Sequence, residues 1–214
     1  MDYTLQAIVR RVQVDKLDDD EFDTGVISNF VNDTQRDIFN QFELPFQEKI
    51  FRGTVPSGSH MFDLPADLAQ LQNATMVDAP GLYGTRMKWR DFFNTYPDIS
   101  NTEPGKPTAW TLYAGNMVFD KPIDADTELT MFYIRKPITL TQGTQVPEIP
   151  EEFSELLVLG AYIRCLKFNE DNDQANYHEG EYNKQLDLLV ARYGSRLSAG
   201  AIKMGNRQIA IRRR

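Results

Sequence analysis

Hydrophobic positions change period twice along this chain. Leu5, Ile8, Val9 and Val12 recur at helical spacing and predict a short amphipathic helix over residues 4–14. A second helix is expected over 19–42. Its stripe is Phe22, Val26, Ile27, Phe30, Val31, Ile38, Phe39 and Phe42, interrupted by Thr34, and Pro45 ends it. From residue 46 to 140 the period falls to two. Gly, Pro and Asp punctuate short runs of β-branched and aromatic residues. Residues 50–55 and 60–64 read as a hairpin about Pro56-Ser57-Gly58-Ser59, and residues 108–113 and 117–119 as a second pair about Ala114-Gly115-Asn116. Residues 74–77 make a weaker strand and residues 90–95 a short helix. In 128–135, Leu129, Met131 and Tyr133 alternate with Thr130, Phe132 and Ile134, so both faces are largely apolar and an interior strand is expected. The helical period returns at residue 151. Residues 151–168 are apolar nearly all round, and a last helix over 173–197 carries Tyr182, Leu186, Leu189, Tyr193 and Leu197 on one face.

These periods predict an α+β protein. A four-helix bundle is split by an inserted β-rich, sandwich- or barrel-like domain. Residues 1–45 form the first half of the bundle, 46–147 the insertion and 148–197 the second half. Residues 198–214 form an extended basic C-terminal tail.

Charge sharpens the division. The tail holds Lys203, Arg207, Arg212, Arg213 and Arg214 and no acid, in a chain of net charge −8, which leaves −13 on residues 1–197. Extended, the tail spans roughly 55 Å at about 3.3 Å per residue. It has too little apolar surface to fold alone, yet Ile202, Met204, Ile209 and Ile211 give it side chains that a solvating tail has no use for. Docking against a partner protein is the expectation. The acidic remainder disfavours nonspecific nucleic-acid binding, because phosphates need cations. The start of the chain lacks the basic and apolar pattern of a signal peptide, and no apolar run approaches a membrane span. One cysteine, Cys165, rules out an intramolecular disulfide.

Candidate chemistry is sparse. There is no GxGxxG and no GxxxxGK[ST] phosphate loop. His178-Glu179-Gly180-Glu181-Tyr182 resembles half of a zinc helix but has Tyr where the second His must sit. Asp18-Asp19-Asp20-Glu21-Phe22-Asp23 has the density of a calcium loop. It places Phe22 fifth and Asn29 twelfth, so an acidic helix start is the better reading. Ser57 and Ser59 flank Gly58 in a turn, and His60 adjoins them only in sequence. Cys165 lies in the most apolar helix, where a buried inert thiol is expected. No catalytic, cofactor-binding or metal site is therefore expected.

The order of short segments along the chain carries a resemblance. It runs from Phe30-Val31-Asn32-Asp33-Thr34-Gln35-Arg36-Asp37-Ile38 through Phe62-Asp63-Leu64-Pro65-Ala66-Asp67 to Gly105-Lys106-Pro107-Thr108-Ala109-Trp110. Asn116-Met117-Val118-Phe119-Asp120-Lys121-Pro122 follows, then Tyr133-Ile134-Arg135-Lys136-Pro137 and Ile149-Pro150-Glu151-Glu152-Phe153. Across nearly its whole length the chain resembles bacteriophage head-to-tail adaptor proteins, also called connector or neck proteins. The resemblance implies a structural virion protein in the neck, assembled in the host cytoplasm. It implies a homo-oligomeric ring, commonly twelvefold, that contacts the portal protein and the next neck or tail protein. Genomic DNA passes through the ring without specific binding, and no membrane is involved. It makes the tail the portal-binding segment, with Ile202, Lys203, Met204, Arg207, Ile209, Ile211 and Arg212, Arg213 and Arg214 as contact residues. The alternatives are a neck stopper or tail-completion protein, a nucleic-acid-binding protein using the basic tail, and an enzyme.

Overall fold

The computed structural model describes residues 3–17, 22–76 and 84–194. Within them lie five α-helices and two β-sheets, so the class is α+β. The chain divides into two compact units: residues 1–46 with 138–214, and residues 47–137.

In the helical unit, α1 (Leu5–Arg11) starts where the Thr4 hydroxyl caps the Ala7 N–H. It runs on into a π-helical stretch, Val12–Leu17. α2 (Thr24–Gln41) begins at Thr24 rather than residue 19, because the Asp23 carboxylate accepts from the Gly25 N–H and fixes the first turn. α4 (Ser154–Phe168) is buried along ten of its fifteen residues, as its all-round apolar sequence requires, and it packs against α1, α2 and α5 (Asn172–Tyr193). Thr34 interrupts the α2 stripe for a steric reason. A Cβ at Gly160 of α4 would lie 2.2 Å from the Thr34 methyl group, so the two helices approach where one of them has no side chain.

Two polar side chains inside the α2 face fix a segment that has no helix or strand of its own. The Asn32 amide donates to the Leu140 carbonyl at 2.9 Å and accepts from the Leu140 N–H at 2.7 Å. Gln35 donates to the Ile138 carbonyl at 3.1 Å and accepts from the Glu148 N–H at 2.9 Å. The Leu5 and Gln6 N–H groups donate to the Gln145 and Gly143 carbonyls. Residues 138–147, which the strand-and-loop pattern assigned to the insertion, therefore group with the helical unit. Without a periodic pattern, nothing local marks that attachment.

The insertion holds a three-stranded sheet ordered β1-β7-β3, from β1 (Glu48–Val55), β3 (Leu68–Met76) and β7 (Thr127–Arg135), and a four-stranded one. The latter is ordered β2-β6-β5-β4, from β2 (Met61–Asp63), β4 (Thr85–Arg86), β5 (Ala109–Tyr113) and β6 (Asn116–Phe119). Neither sheet closes on itself among the described residues, so the barrel-like alternative is not seen. One apolar core receives Leu129, Met131 and Tyr133 from the first sheet and Trp110, Met117 and Phe119 from the second. The strand β7 is central, with those three residues buried, but Phe132 on its other face is 37% exposed.

The hairpin expected between 50–55 and 60–64 does not form. The turn is present, with the Ser59 N–H on the Pro56 carbonyl at 3.1 Å and Gly58 at φ 81°. Its two strands, however, enter different sheets: β1 pairs with β7 and β2 with β6. The turn is held instead against residues 123–126, through Gly58 N–H to Ile123 O, Ser57 N–H to the Asp126 carboxylate and Ser57 Oγ to Asp124 O. The second expected pair does form, between β5 and β6. Ala114 at φ 49° and Gly115 at φ 81° make its two-residue turn, the combination that matches the strand twist.

Candidate interaction surfaces

The chemistry-bearing side chains singled out in the sequence are scattered and occupied. Cys165 is buried within α4, and burial pushes its thiol up to about 12, so the thiolate is suppressed. His178 lies between Tyr162 and Tyr177, each ring centroid 5.1 Å away, and its buried Nδ1 has no hydrogen-bond partner among the described residues. His60 is in the other unit. The Ser57 hydroxyl donates to the Asp124 carbonyl and the Ser59 hydroxyl to the Met61 carbonyl. Asp23 is a helix cap; residues 18–21 lie outside the described residues. Among the described residues no three His, Cys, Asp or Glu are grouped to hold a metal ion, and no helix is long and apolar enough to cross a membrane.

The tail residues Ile202, Lys203, Met204, Arg207, Ile209, Ile211, Arg212, Arg213 and Arg214 all lie outside the described residues.

Two described surfaces combine exposed apolar side chains with charges that have no ion-pair partner among the described residues. The first is on the insertion. β4, a two-residue edge strand, and α3 (Trp89–Thr95) frame an open groove of about 620 Å³. Arg86, Lys88 and Arg90 rim it, with Asp91 as the carboxylate among its lining residues. Trp89 and Tyr113 are each 46% exposed, with their rings 5.6 Å apart, and Tyr113 rests on Phe93 at 5.2 Å. The Arg90 guanidinium lies over Trp89 at 5.1 Å and that of Arg86 over Trp110 at 5.6 Å. Phe92, fully buried beneath, anchors α3 to Ala109 and Val118 of the sheet. The alternation of cations with Met87 and Trp89 in Arg86-Met87-Lys88-Trp89-Arg90 is legible in the sequence. Their gathering with Tyr113 depends on the β4–β5 pairing.

The second surface is the outward face of α5. This helix of 22 residues buries only Ala175, Leu186 and Leu189. On the opposite side, at helical spacing, stand Asp173, Tyr177, Lys184 and Leu188, flanked by Glu181 and Asp187. Tyr177 is 79% exposed and Leu188 58%. Nothing lies within 4 Å of a Cβ built at Gly180. The acid excess of the chain is concentrated in this unit. Outside the tail its residues carry nine Lys and Arg against twenty Asp and Glu, whereas the insertion carries nine against eleven.

Exposed apolar and charged faces, one on each unit, define a protein with surfaces suited to contact. The family model for the SU10 adaptor protein matches residues 3–205. The chain belongs to that family, whose members are structural phage adaptor proteins and virion components. No curated protein matches the chain.

Proposed function

We propose that the protein is a head-to-tail adaptor that forms a ring, commonly of twelve copies in such proteins, between the portal vertex and the tail. The observation that carries this reading is the family match, which spans both units rather than one of them. In this reading α1, α2, α4 and α5 make a four-helix bundle as the body of each subunit. The ring contacts the portal on one side and the next neck or tail protein on the other. The acidic body suits a wall past which DNA slides, since carboxylates repel phosphates. The basic tail is the portal-binding segment. Four buried Ile or Met side chains would give roughly 1.5–3 kcal/mol each before ordering costs. Those costs reach about 1–2 kcal/mol per fixed residue, so backbone hydrogen bonds to the portal, such as strand addition, must contribute. Repetition around the ring multiplies each weak contact.

Electron microscopy of the purified protein with and without portal tests the reading. The expected result is a closed ring seated on the portal. Removal of residues 199–214 should leave the body folded and abolish stable docking. A protein that binds tail tube and not portal would be a tail-completion protein, and equal docking by the truncated chain would remove the tail from the interface.

A further inference from the structure

The two surfaces complement each other. The groove of the insertion offers three cations and two exposed rings, and among the described residues no carboxylate lies at ion-pair distance from Arg86, Lys88 or Arg90. The outward face of α5 offers carboxylates that likewise have no cation partner among the described residues, together with an exposed Tyr and Leu. Other helical carboxylates are already engaged: Glu155 by Arg11 and Lys16, Asp37 by Arg164, Glu179 by Lys167 and Glu152 by Arg192. Asp173, Glu181 and Asp187 have no such partner among the described residues.

We propose that the basic aromatic groove of one copy receives the outward face of α5 of a second copy. Asp173, Glu181 and Asp187 meet Arg86, Lys88 and Arg90, while Tyr177 and Leu188 cover Trp89 and Tyr113. Lys184, the cation of that face, meets ring faces, which attract cations. The contact joins two different patches, so each copy of a pair keeps its other patch free for the next neighbour, the geometry that closes rings. The inference rests on the ring reading and names the faces that would build the ring. Single-stranded nucleic acid is the other chemistry that cations interleaved with aromatics can take. A chain of net charge −8 repels phosphates at long range.

Charge reversal in the full-length protein tests the pairing. Arg86→Glu with Arg90→Glu, and separately Glu181→Arg with Asp187→Arg, are compared with the combination of all four. Self-association is read by sedimentation velocity and by capture of untagged by tagged copies, alone and with portal. Circular dichroism establishes that each variant is folded, and Trp89→Ala and Leu188→Ala probe the apolar half without changing charge. Each reversal should weaken self-association by about tenfold or more, and the combination should restore most of it. If wild type associates and the reversed variants associate equally well, the inference falls while the ring reading stands. The pairing is equally overturned if the combination stays folded and fails to restore association. A wild type that is monomeric with and without portal removes both. Loss of single-stranded oligonucleotide binding in the Arg86→Glu, Arg90→Glu variant, with self-association intact, would make the groove a nucleic-acid site instead.

Discussion

The helical unit and the insertion use buried polar groups in opposite ways. In the helical unit, Asn32 and Gln35 sit inside an otherwise apolar helix face and capture a foreign segment, residues 138–148, by its backbone. In the insertion, the buried Asp120 serves neighbouring chain. It accepts from the Thr108 N–H at 2.8 Å, the Thr108 hydroxyl at 2.5 Å and the Ala109 N–H at 3.1 Å, holding the entry of β5 beside the end of β6. A buried polar side chain costs stability unless it is hydrogen-bonded. Helices satisfy their own backbone, so such a side chain is free to recruit a loop; a short sheet leaves strand ends open, so it must close them.

Both tryptophans, Trp89 and Trp110, lie in the insertion, so their fluorescence follows that unit while the helical signal in circular dichroism follows the other. The largest expected effect is from Leu157→Ala in fully buried α4, about 2–5 kcal/mol, shifting the helical transition in urea and leaving tryptophan fluorescence in place. Coincident shifts of both signals would mean that the two units unfold as one.

Asp120→Ala should act on the other signal. It strands three donors and should cost about 2–3 kcal/mol in the fluorescence transition. Gly160→Ala should destabilise the helical unit by about 1–3 kcal/mol through overpacking. Thr34→Ser, which removes the clashing methyl, should recover part of that loss in a double-mutant cycle; full additivity would show that the helices simply move apart.

A smaller effect is expected at Asp67. Burial pushes its carboxyl up, but hydrogen bonds donated by Lys49 Nζ at 2.7 Å and Tyr133 OH at 2.8 Å outweigh this and hold it below the usual carboxylate range. Stability from this group is therefore present above the ordinary carboxylate pKa and is lost as pH falls through the depressed value. Asp67→Asn should remove that acid-side slope from the fluorescence transition, at a cost of about 1 kcal/mol or less near neutrality because the pair is partly exposed. Least of all, Ala114→Asn should raise the insertion's stability by about 0.5 kcal/mol, since Asn tolerates the left-handed conformation better than Ala.

The helical elements follow from their own residues. α4 is legible because an all-round apolar run has no other soluble use, and α5 because Tyr182, Leu186, Leu189 and Tyr193 share a face. Among strands, β5, β6 and β7 are equally plain. β3 is less so, because Gln70, Gln72 and Asn73 dilute its pattern and two register irregularities interrupt its pairing. Of the contact surfaces, the alternation of cations with Met87 and Trp89 in residues 86–90 can be read directly. Tyr113's place beside them cannot, because it depends on the β4–β5 pairing.

The sequence by itself determined the two periods, the helices, the tight β5–β6 turn and the uneven charge, because each depends on residues within a few positions of one another. Tertiary structure alone decided that β1 crosses to β7, that β2 crosses to β6 and that residues 138–147 attach to α2. A strand's hydrogen bonds point sideways to whatever chain arrives there, and a turn's sequence cannot name that partner. A helix closes its bonds four residues away, and so carries its structure in its own sequence.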